Sequence, residues 1–208
     1  MDESGRPGGK FEEISDIIFG GDGKRSERVV HAPVSTLSRI QMTPQDAQDL
    51  RSVQPFVLTT NTLPDYHVRY LGKQQLDEIP CYAFAVKPKQ MVKDERYFEG
   101  IVWVDDRDLQ IVKTYGRGVG IEKKNSDHQY PKFETYRQQI DGKYWFPTYT
   151  IANDVLMFQT GPQPIKMVVK YEDYKQFKAD TTIIFGDVVE GDQPAQEPPP
   201  SAPDAGKP

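Results

Sequence analysis

The hydrophobic positions of this chain recur mostly with a period of two. Ile165, Met167, Val169 and Tyr171 alternate with Lys166, Lys170 and Glu172, as in a strand with one buried face. Comparable runs occupy 10–20, 25–33, 66–72, 81–88, 96–104, 109–116, 132–140 and 143–151. Turn residues separate them at Gly20–Gly23, Asp77–Pro80, Asp105–Asp108 and Asp141–Gly142. Asp-Gly between two strand runs is a two-residue hairpin signal, because both residues tolerate positive φ. It predicts that 132–140 pairs with 143–151. One helix is expected where Thr43 can cap, Pro44 opens the first turn and Asp46 adds acid to it. Pro55 predicts that it ends near Ser52–Gln54, and 55–64 (PFVLTTNTLP) reads as an apolar connector leaving it.

Several strands are apolar on both faces. Phe98, Val102 and Val104 alternate with Tyr97, Ile101 and Trp103. Tyr144 and Phe146 likewise oppose Trp145, Tyr149 and Ile151. A sheet lying on a domain surface leaves one face polar. Two apolar faces call for a second layer, a helix or an apolar ligand on each side.

Composition narrows the function classes. The chain has 208 residues, a length suited to one domain of ordinary size. Its net charge of -5 disfavours generic nucleic-acid binding. No apolar run approaches the ~20 residues of a membrane-spanning helix, and the polar start MDESGRPGGK shows no secretory h-region. The single cysteine, Cys81, excludes an internal disulfide. From about residue 189 the sequence turns to EGDQPAQEPPPSAPDAGKP, a proline-rich composition expected to be disordered or extended. The expected organisation is a folded domain over 1–188 and a tail over 189–208.

Catalytic and metal motifs find little support. Asp105, Asp106 and Asp108 lack the alternate acids, central glycine and late glutamate of a calcium loop, so they are expected to turn a hairpin. His31, His67 and His128 show no ligand spacing and read as surface or strand residues. Cys81 reads as a small buried side chain without a base partner. Residues 116–120, GRGVG, lack the spacing of a dinucleotide loop and the helix that should follow; a flexible loop is expected there. No nucleophile motif occurs. The chain is therefore expected not to be an enzyme and to need no cofactor or metal.

RYFEGIVWVDDRDLQIVKTYG, PKFETYRQQIDGKYWFPTYT and IKMVVKYEDYKQF together resemble the outer-membrane lipoprotein-sorting proteins, periplasmic carriers and acceptors with a LolA/LolB-like fold. The resemblance spans about residues 10–178 and rests on strands and turns. It implies a mainly β architecture: a strongly curved antiparallel sheet, an incomplete barrel, with one or more helices as a lid. It implies a non-enzymatic carrier of the bacterial envelope whose apolar concavity shields lipoprotein acyl chains or a similar apolar ligand. Partners would be that ligand and an envelope membrane protein, and the location periplasmic. An envelope sensor or assembly-interaction domain without a lipid ligand is the alternative. The family begins with a signal peptide, a long helix and a first strand. The resemblance therefore implies that this chain lacks its N-terminal part, with MDESGRPGGK as the turn of a hairpin and 10–20 as its second strand. The family's lid-closing arginine has no matched position here. Candidate cavity residues are Phe98, Val102, Trp103, Tyr144, Trp145, Phe146, Met167 and Val169 on strands, with Phe56 and Leu58 on the connector.

Overall fold

The computed structural model describes residues 8–20, 25–120 and 130–176. The described residues up to Tyr174 belong to one compact unit. The expected tail, 189–208, lies outside the described residues, as do His128 and most of the MDESGRPGGK turn.

The strands form where the alternation predicts them. A ribbon of β1 (Ile14–Phe19) and β2 (Arg25–His31) makes one antiparallel sheet. The other is a seven-stranded antiparallel meander: β3 (Tyr66–Leu76), β4 (Ile79–Pro88), β5 (Tyr97–Asp105), β6 (Ile111–Val119), β7 (Phe133–Ile140), β8 (Tyr144–Phe158) and β9 (Gly161–Lys170). Each strand pairs with its neighbour in sequence, and β3 and β9 are the edges, so the sheet is not closed. The protein is thus mainly β, and the single α-helix among the described residues is short. Several strands outrun their sequence signals: β3 continues to Leu76, β6 to Val119 and β8 to Phe158, and β9 starts at Gly161.

The turns follow local chemistry. Asp141 and Gly142 take φ 52 and 64, and Lys143 N–H donates to Ile140 O at 3.1 Å. The pairing of β7 with β8 is as expected, but Ile140 stands opposite Tyr144, so Lys143 joins Asp141 and Gly142 in the connection and the register differs by one from a two-residue hairpin. At the acidic knot, Asp105 Oδ1 accepts from the backbone N–H groups of Arg107 and Asp108, at 2.8 and 2.6 Å. The acids shape the β5–β6 hairpin tip, as expected. Asp108 also accepts from Trp145 Nε1 at 3.1 Å and Gln139 Nε2 at 3.3 Å. Among the described residues, no cluster of three or more His, Cys, Asp or Glu is placed to hold a metal ion.

The expected helix starts at its predicted cap. Asp46 N–H donates to Thr43 Oγ1, and the Asp46 carboxylate accepts from Thr43 N–H. α1 covers Pro44–Gln48 and widens into a π-helical turn over Asp49–Val53, where Gln54 N–H reaches Asp49 O at 2.8 Å. The chain then crosses one face of the large sheet.

Another expectation is corrected. GRGVG is not a flexible loop: Gly116–Val119 complete β6, with Gly116 opposite Gly100 and Gly118 opposite Phe98. The glycines are there for close approach. A Cβ on Gly116 would lie 2.7 Å from the Phe98 ring, and one on Gly118 2.2 Å from Asp49 Oδ2.

Candidate functional site

Strand alternation sorts the apolar residues into two clusters on opposite faces. On one face, Val86, Phe98, Val102, Phe133 and Ala152 are buried together with Tyr66. Three side chains of the crossing segment lie on them: Val53 and Phe56, which are buried, and Leu58, which is half-buried. Phe56 stacks on Phe98 with ring centroids 4.6 Å apart, and Tyr66 tilts against Phe56 at 5.5 Å. On the other face, Cys81, Ala83, Trp103 and Val112 form a smaller buried group, against which Ile101 and Trp145 pack. Cys81 is the small buried residue expected, and burial pushes its thiol pKa up.

The candidate cavity residues divide accordingly. Phe56, Leu58, Phe98, Val102 and Met167 come together in the covered cluster. Val169, opposite Thr150 in the register, shares the sheet face of Met167 and is half-buried. Trp103 faces away from the cover, its indole N–H donating to Gln74 Oε1 at 2.7 Å. Trp145 lies with it. Phe146 stacks on Tyr174 at 4.9 Å, and Tyr144 tilts against Phe146 and is 37% exposed. The double-sided apolar pattern thus has two causes, a covered face and a second small core. Tyr97 departs from it, packing at the strand's start against the covered cluster. A surface depression of about 300 Å³ lies elsewhere, lined by Lys73, Gln74, Gln75, Pro80, Cys81 and Asp106.

Polar contacts fasten the cover to the sheet. Arg96, just before β5, grips Asp49 through two bonds of 2.8 Å (Nε to Oδ1, Nη2 to Oδ2), with both side chains nearly buried. Its guanidinium lies 3.6 Å from the Tyr130 ring centroid. Burial pushes the Asp49 carboxyl up, and Arg96 opposes that shift. Farther along, three consecutive carbonyls of the cover meet donors on β7. Thr135 Oγ1 donates to Gln54 O at 2.8 Å, and Arg137 Nη2 donates to Pro55 O at 2.9 Å and to Phe56 O at 2.6 Å. Gln54 Nε2 also reaches Met167 Sδ at 3.2 Å.

Beneath these carbonyls runs a polar stripe. Thr114, Thr135 and Thr150 stand opposite one another on β6, β7 and β8, and none is exposed. Thr135 and Thr150 share a 2.8 Å hydrogen bond. Burial lowers the pKa of Arg137, while Tyr171 and Tyr174 favour its charge. Among the described residues, Thr114 Oγ1, Arg137 Nε and Gln54 Oε1 are buried with no hydrogen-bond partner. Sequence reasoning missed Arg96, Asp49, Arg137 and the threonines. A strand run such as FETYRQQI gives no sign of which polar residue faces inward until the register is known.

No family model, curated protein or solved structure matches this chain. Among the described residues, no helix is long and apolar enough to cross a membrane.

Proposed function

We infer that this is a non-enzymatic binding protein of the bacterial envelope, which shields an acyl chain or similar apolar ligand on the sheet face that residues 49–58 cover in its absence. The observation that carries this reading is the cover itself. A single short segment supplies Val53, Phe56 and Leu58 to an apolar sheet face and meets β7 through its own carbonyls. An alkyl chain can replace those side chains at similar gain, since each buried CH₂ is worth roughly 0.8 kcal/mol. The resemblance to LolA/LolB-like carriers supports the same reading. In those terms the unclosed sheet is a half-barrel, the cover its lid and the location periplasmic.

The interior packing supports a second reading. Phe56 already fills the face against Phe98, as in an envelope sensor or assembly domain without a lipid ligand. Titration of the full chain with a fluorescent long-chain lipid probe separates the two. One saturable site, competed by unlabelled acyl chains and weakened by about 2 kcal/mol or more in Phe98→Asp or Met167→Asp, supports the carrier. A folded protein that takes up no alkyl probe supports the interaction domain.

A further inference from the structure

We propose that the polar stripe beneath the cover is the head-group site for a carboxylate-bearing amphiphile, with Arg137 and the threonines receiving its oxygens. The inference rests on reading residues 49–58 as displaceable.

The chemistry of the stripe is one-sided. Arg137 offers donors only, and among the described residues its partners are the neutral carbonyls of Pro55 and Phe56. Among the described residues, its Nε and the Thr114 hydroxyl have no hydrogen-bond partner. A buried donor without an acceptor is costly, and a buried cation without an anion more so. Each such group in a native fold calls for an explanation, and an acceptor bound in another state supplies one. In the covered state the carbonyls of Gln54, Pro55 and Phe56 stand in for the missing oxygens. If the cover lifts, Thr114, Thr135 and Arg137 remain on the sheet as a row of donors beside an apolar floor.

That row fits two oxygens carrying negative charge. Arg137 supplies the forked cationic donor that a carboxylate matches, and Thr114 and Thr135 stand directly opposite each other on adjacent strands. Phe98 and Val102, buried on the same face, would meet the alkyl chain. A neutral head group of the same length would leave the Arg137 charge uncompensated.

The test compares hexadecanoate, its methyl ester and hexadecanol, each below its aggregation limit, binding the full chain by calorimetry. The expected result is that hexadecanoate binds at least about tenfold tighter than hexadecanol, the scale of a charge-assisted hydrogen bond. The ester should fall between them. Arg137→Gln should bring the ratio near unity. Thr114→Val, which removes only an unpartnered hydroxyl, should lower it several-fold even if Arg137→Gln fails to fold. Equal affinities in the wild type, or a ratio unmoved by Thr114→Val, overturn the head-group site and leave the acyl-binding reading standing. Failure of all three ligands to bind removes both.

Discussion

Tyr174 lies flat against Phe146, with their rings 12° apart, and its hydroxyl donates to Pro147 O. Burial pushes its phenol pKa up to about 12, above the ordinary value of about 10. The folded state therefore favours the neutral hydroxyl. That contribution is fully present below about pH 10 and is lost as pH rises through about 12. Tyr66, Tyr97, Tyr136 and Tyr171 are shifted in the same direction, burial being the leading cause in each. An ultraviolet phenolate titration should show a late-ionising tyrosine near 12 that Tyr174→Phe removes. Loss of one phenolate equivalent at about pH 10 instead, with the late step intact, would show that Tyr174 ionises as an exposed residue does. At this scale the sequence was informative about Phe56, Phe98 and Met167, whose apolar character marks them for burial. It was silent on Arg137, because a strand arginine usually faces water.

The capped helical segment and the sheet meet through Asp49 and Arg96, 47 positions apart in the chain. Both charges are nearly out of water, so removing the Asp49 charge takes from Arg96 its bidentate carboxylate where solvent hardly replaces it. Asp49→Asn should lower unfolding free energy in urea by about 3–5 kcal/mol. Adding Arg96→Met to that variant should restore a large part of the loss. A drop of only about 0.5 kcal/mol for Asp49→Asn would mean that the pair behaves like an exposed one. Local chemistry made several elements legible. Thr43-Pro44 marked the helix start, Asp141-Gly142 the β7–β8 turn, and Asp105 the β5–β6 tip. The same signals misled at GRGVG, where glycine suggested a loop. The glycines instead make room for Phe98 and for the Asp49–Arg96 pair, a tertiary demand with no local signature. The two-faced apolar strands showed that both faces needed cover, but the period alone left open which face took the segment after Pro55.

For the molecule as a whole, the proposed function makes the sheet the permanent part and residues 49–58 the exchangeable part. The sheet is a continuous meander in which every neighbour in sequence is a neighbour in space. The cover instead adds three apolar side chains and a small set of polar bonds. Segments with few buried contacts open at lower free energy than the strands beneath them. Ligand exchange therefore should free the cover without loosening the sheet. Hydrogen–deuterium exchange of the full chain, with and without saturating hexadecanoate, tests this directly. Amides of 49–58 should exchange faster in the bound state, while those of β5–β8 keep or gain protection. Slower exchange throughout 49–58, or protection lost across β5–β8 together with it, would contradict the account.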